Sequence, residues 1–143
     1  MQDESIKLLV VDDDDDVDRE KIRRLLGASS YNTTVEESAS FSDSMVVLNN
    51  HEYDCIIVDY HLGSEDGLTL LDSIRNNLGK KCAIIMVTGL GDEKIAAEAM
   101  RLGASDYLVK GQLESNQLFR AILNAIQKQN QKRISMILHT MTC

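Results

Sequence analysis

A chain of 143 residues with 43% hydrophobic content has room for one domain with a real core, which excludes both a disordered chain and two ordinary domains. Its formal charge of −8, from 15 Lys+Arg against 23 Asp+Glu, does not suit nucleic-acid binding by the domain as a whole, because phosphate backbones need basic patches. Three scattered cysteines (Cys55, Cys82, Cys143) make neither a disulfide framework nor a zinc site, and the apolar run at 8–11 is too short for a leader or a membrane span, so the expected setting is cytoplasmic with no membrane partner.

Apolar runs of strand length alternate with helical patterns along the chain. Residues 6–11 read as a first strand, and 15–26 as a helix that stops at Gly27. Residues 32–37, with Thr33-Thr34-Val35, read as a second strand; a helix follows over 41–50, with Ser40 or Ser42 as its N-cap. Residues 53–59 make a third strand, and a helix over 68–78 sets Leu68, Leu71, Ile74 and Leu78 on one face before Gly79. Residues 83–88 make a fourth strand, 92–102 a helix before Gly103, and 106–109 a short fifth strand. The last helix begins near Glu114 and carries Leu118, Ile122, Ala125 and Ile126 at helical spacing. Five strands alternating with five helices predict an α/β fold built on a parallel sheet. The domain is expected to occupy 1–130. Residues 131–143, with weaker periodicity at Ile134, Ile137, Leu138 and Met141, either lengthen the last helix or begin a linker. No Asp or Glu follows Glu114, whereas Arg120, Lys128, Lys132 and Arg133 do. That basic stretch reads as a solvated helix face or, alternatively, a contact surface for another domain.

In an open parallel sheet, ligands bind outside the carboxyl ends of the strands. Asp12 to Asp16 follow the first strand, Asp59 ends the third, Thr88 ends the fourth and Lys110 follows the fifth. Singly, each is a commonplace turn, strand or surface residue. Together, on one rim, they make a cluster of carboxylates with a hydroxyl and an amine. Clustered carboxylates raise one another's pKa, and a hard divalent cation relieves that repulsion. Mg²⁺ needs only one or two carboxylates plus a phosphate oxygen, and a carboxylate can serve as nucleophile to give an aspartyl-phosphate.

The motifs here are Leu8-Leu9-Val10-Val11-Asp12-Asp13, Ile57-Val58-Asp59-Tyr60-His61-Leu62 with Asp66-Gly67, Met86-Val87-Thr88-Gly89, and Gly103-Ala104-Ser105-Asp106-Tyr107-Leu108-Val109-Lys110. Through them the sequence closely resembles, over about residues 5–128, the receiver domain of bacterial two-component response regulators. The resemblance implies a flavodoxin-like, doubly wound five-stranded parallel sheet of order 2-1-3-4-5. It implies Asp59 as phosphoacceptor, and Asp12 and Asp13 as the acidic pair, Asp13 the more direct metal ligand and Asp12 acting through water. The main-chain carbonyl of His61 would supply another oxygen to Mg²⁺, with Mn²⁺ as the alternative ion. Thr88 and Lys110 would bind phosphoryl oxygens, and Tyr107 would be the switch aromatic.

The implied partners are a histidine kinase or phosphotransfer protein, and a second copy through the fourth helix, fifth strand and fifth helix; no direct nucleic-acid partner is expected. The implied role is a phosphorylation switch and not an enzyme. A pseudo-receiver that binds proteins without phosphorylation is the alternative. A phosphatase of the haloacid-dehalogenase type would need a second carboxylate two residues after the nucleophile, where this chain has His61. Three departures from the family pattern stand out. The acidic run is one residue long, so Asp13 and Asp14 compete with Asp12 and Asp13 as the pair. Gly63 replaces a usual proline. Gly111 replaces the proline that usually follows the lysine, so the Lys110–Gly111 bond is expected trans, since a cis non-proline bond costs about 2.5–4 kcal/mol.

Overall fold

A computed structural model of the chain describes residues 5–12, 16–27, 32–63, 65–89 and 91–141. Five strands, β1 (Ile6–Val11), β2 (Thr33–Ser38), β3 (Cys55–Asp59), β4 (Ala83–Thr88) and β5 (Asp106–Val109), form one parallel sheet in the order β2-β1-β3-β4-β5. This is the doubly wound order that the resemblance implied. β3 and β4 are buried along their whole length, as an interior strand covered on both faces requires, and so their sequences are unbroken apolar runs ending in Asp59 and Thr88. β2, at the edge, alternates half-buried and exposed positions.

Side chains leave alternate faces of the strands and build two cores. One gathers Leu8, Val10, Ile57, Ile85 and Val87 against Ile22 and Leu26 of α1 (Asp16–Gly27) and Leu118, Phe119 and Ile122 of α5 (Ser115–Met141). The other gathers Leu9, Val11, Ile56, Val58, Ile84 and Met86. Against them lie Leu48 of α2 (Phe41–Asn50), Leu70 and Leu71 of α3 (Gly67–Asp72), and Ala99 of α4 (Glu93–Arg101). Cys55 is wholly buried in the first core, and burial pushes its thiol well above the usual range.

Several element ends differ from the sequence reading, each for a local reason. Of the two candidate caps of α2, Ser40 takes the role, its Oγ accepting the Asp43 N–H at 3.0 Å. Strand β3 starts at Cys55 because Tyr53 turns into the second core, where its hydroxyl donates to Glu36 Oε1 at 2.5 Å. The third helix divides: after Asp72 the backbone widens into a π-turn over Ser73–Asn77, in which the Leu78 N–H reaches Ser73 O at 3.0 Å. The last helix runs unbroken to Met141. A two-residue antiparallel ladder, His61–Leu62 with Glu65–Asp66, was not expected. It follows Asp59 directly and returns the chain to the start of α3. Gly63, at its turn, has φ 65°, a value that proline's fixed ring cannot reach.

Candidate functional site

The strand register aligns the carboxyl ends. Val11 pairs with Val58, Asp59 with Val87, and Thr88 with Val109, so Asp12, Asp59, Thr88 and Lys110 meet at one edge. The backbone fixes them there: the Asp12 N–H donates to Ser38 O at 3.0 Å and the Tyr60 N–H to Val87 O at 2.9 Å. All four side chains are nearly sealed from solvent, Asp12 at 1%, Thr88 at 2%, Asp59 at 3% and Lys110 at 7% exposure.

Lys110 links the two acids. Its Nζ lies 3.2 Å from Asp12 Oδ2 and 3.3 Å from Asp59 Oδ2. The other oxygen of Asp59, Oδ1, is buried without a hydrogen-bond partner among the described residues. A buried polar oxygen left in that state is costly, and its presence in a native site calls for a reason. Burial, and next the Asp12 carboxylate, push the Asp59 carboxyl up from 3.8 to about 7, against the pull of Lys110. Two carboxylates facing one ammonium leave an excess of negative charge in a dry pocket. An all-oxygen donor set with one open lone-pair site fits a hard divalent cation.

Asp13 and Asp14, which the sequence reading placed in or beside the acidic pair, lie outside the described residues. Asp12 does sit in the site. Among the described residues no group of three His, Cys, Asp or Glu side chains forms a cluster that could hold a metal by itself. His61 begins the small ladder; its side chain is exposed, with its ring edge-on to Tyr60 at 4.9 Å. Tyr107 is half-buried on β5, packs against the second core, and accepts the Asp92 N–H on its hydroxyl at 3.3 Å. The described residues contain no cis peptide bond, in keeping with a trans Lys110–Gly111, and Lys110–Gln112 forms a 3-10 turn.

The structure also brings in residues to which the sequence reading gave no role. Gly67 donates its N–H to Tyr60 O at 2.6 Å, and a Cβ there would collide with the Asp59 carbonyl and come within 2.9 Å of the Tyr60 Cα. Asp66 caps α3, accepting the Thr69 N–H at 2.8 Å. So Asp66-Gly67 presses the start of α3 against the backbone of Asp59. The pairing of a cap with a glycine was the available signal. Arg75, in the π-turn, bonds four times to backbone carbonyls; nothing in the sequence pattern marks those acceptors.

A family model described as response regulator receiver domain matches residues 8–124. The chain is 42% identical over 108 residues to Transcriptional regulatory protein FixJ of Azorhizobium caulinodans, an overlap covering 75% of this chain and 49% of that one. It is 32% identical over 117 residues to Protein-glutamate methylesterase/protein-glutamine glutaminase 2 of Shewanella sp. strain MR-7, covering 80% of this chain and 32% of the relative. Among solved structures, a response regulator receiver domain protein from Clostridium thermocellum superposes with a TM-score of 0.75 at 29% identity, over 87% of this chain and 97% of that one. The chain therefore spans between a third and a half of the curated relatives it matches. Two expectations are narrowed by these likenesses. FixJ is named a transcriptional regulatory protein, so the exclusion of nucleic acid is not borne out. A relative named as a methylesterase has a segment of this kind, so the exclusion of enzyme activity is not borne out. Among the described residues no helix is long and apolar enough to cross a membrane.

Proposed function

Because the chain belongs to the response regulator receiver domain family, we propose that it is a phosphorylation switch that receives a phosphoryl group on Asp59. The observation that carries this reading is Asp59 Oδ1, a buried carboxylate oxygen beside Lys110 and Asp12 with no hydrogen-bond partner among the described residues. That oxygen attacks the phosphorus of a phosphohistidine on a histidine kinase or phosphotransfer protein. The P–N bond breaks, its electron pair goes to the imidazole nitrogen, and an acyl phosphate remains on Asp59. Asp12, Asp13, Asp59 and the His61 carbonyl would hold Mg²⁺, or Mn²⁺ in its place, which when bound neutralises charge on the phosphoryl oxygens. Lys110, already within reach of Asp59, exchanges its carboxylate contact for a phosphoryl oxygen. The Thr88 hydroxyl donates to another. Asp12 is favoured over Asp14 as Asp13's companion by its contact with Lys110.

The movement of Thr88 is passed to Tyr107 and to the surface of α4, β5 and α5, where a partner or a second copy binds. We assign residues 1–130 to this switch and 131–143 to an extension of the last helix or the start of a linker, read it as a switch in its own right and not a turnover enzyme, and place it in the cytoplasm. A phosphorylation-independent pseudo-receiver is not favoured, since acceptor, lysine, threonine and acid are all present. Incubation with Mg²⁺ and acetyl phosphate should add the mass of one phosphoryl group to the wild type and none to Asp59→Asn. Equal labelling of the two would overturn the proposal.

A further inference from the structure

Helix α4 is held at both ends by contacts of unlike strength. At its amino end, Asp92 caps the helix through its carboxylate, which accepts the Lys94 N–H at 2.8 Å. There it meets the neighbouring strand through the bond of the Asp92 N–H to the Tyr107 hydroxyl, at 3.3 Å. At its carboxyl end the chain turns through Gly103, and Gly103 O receives two donors from Arg75, Nη2 at 2.7 Å and Nε at 3.0 Å. The same guanidinium donates through Nη1 to Cys82 O at 2.7 Å and Lys80 O at 3.0 Å. One side chain thus joins α3, the approach to β4 and the end of α4.

Local backbone geometry serves this arrangement. Arg75 sits within the π-turn, where the helix widens. Gly103 has φ 111°, and a Cβ there would fall 2.9 Å from Arg75 Nε, so only glycine leaves room for the guanidinium to lie flat against the turn. A positive charge at this point also complements the partial negative charge of the helix end. The planar fork can address carbonyls in several directions at once, which an ammonium cannot do. Beyond Gly103, the Ser105 N–H donates to Ile84 O at 2.6 Å, locking the turn to the start of β4.

We propose that Arg75 is the fixed pivot of α4, holding the helix's carboxyl end to α3 and β4 so that switching is expressed at its amino end, where the Tyr107–Asp92 contact is the part that yields. This rests on the reading of Asp59 as phosphoacceptor. Thr88 and the Tyr107–Asp92 contact lie at the phosphoryl edge, and Arg75 lies at the opposite end of β4. A strut anchored at one end swings at the other. Without the anchor, it would shift along its whole length.

The test is amide hydrogen exchange on the full chain, metal-free and with Mg²⁺ plus beryllofluoride, in wild type, Arg75→Met and Arg75→Lys. In wild type the additive should change exchange over residues 91–96 and leave 102–105 unaltered. Arg75→Met should exchange at 102–105 at least tenfold faster before any addition, and its response to beryllofluoride should spread across the helix. Arg75→Lys, which keeps the stem and the charge, should fall between them and carries the test if the methionine variant does not fold. Beryllofluoride affinity should stay within twofold in both variants, since neither alters the Asp59 pocket. A wild-type response uniform along α4, or a variant response confined to 91–96 as in wild type, overturns the pivot alone. No uptake by wild type overturns the phosphoacceptor reading and the pivot with it.

Discussion

At the scale of single residues, the site is expensive to the fold. Asp59 is pushed from 3.8 up to about 7 by burial and by Asp12. An acid whose pKa rises on folding keeps its proton more tightly in the folded state. As the pH climbs from about 4 to about 7, the unfolded chain loses that proton first, so the metal-free protein loses stability across this window and no more above it. Asp59→Asn removes the dependence. The variant should therefore outlast the wild type by about 1–3 kcal/mol at pH 8 and by much less at pH 4, as urea titrations without metal would measure. A less stable variant at pH 8 would contradict the assignment of cause. Gly67 is costly to change for a different reason, since any side chain there meets the backbone of Asp59 and Tyr60. Gly67→Ala should lose about 1–3 kcal/mol and slow phosphorylation from acetyl phosphate at least tenfold, because strain at that contact displaces the acceptor itself.

At the scale of elements, strands and most helices were legible, and the exceptions have a common origin. Runs such as Ile84-Ile85-Met86-Val87 can only be interior strand in an alternating chain, and they were read to their observed ends. Helix α2 was also read correctly, but its cap was left open between two serines of equal chemistry; the direction of the chain, and not its composition, chooses Ser40. Ser40→Ala should cost about 1 kcal/mol in thermal or denaturant melts, and Ser42→Ala less than about 0.5 kcal/mol. The π-turn was invisible because Leu71, Ile74 and Leu78 satisfy ordinary helical spacing equally well. The role of Arg75 was hidden because its partners are main-chain carbonyls, which every residue possesses. The same holds for the Tyr107 hydroxyl and the Asp92 N–H. Polar side chains converging on a rim can be read from strand ends, but a side chain's backbone partner depends on how loops close.

At the scale of the molecule, the parallel sheet puts Asp59, Lys110, Thr88 and Asp12 on one edge; the strand ends name these residues, and the strand order implied by the resemblance sets them side by side. Because the site carries excess negative charge, binding of a divalent cation should stabilise the whole domain. At a concentration ten times its dissociation constant, Mg²⁺ should add about 1.4 kcal/mol to the wild type and much less to Asp12→Asn, a difference readable in calorimetry. The last helix has a consequence of its own. It starts near the acceptor's edge and by Gln129, whose side chain donates to Lys81 O at 2.7 Å, has reached the far side of the sheet. It then continues to Met141, an arm roughly 18 Å long at 1.5 Å per residue. A small tilt of α5 where it leaves the sheet becomes a larger sideways excursion at the tip, so leverage alone would magnify a modest rearrangement for anything joined there.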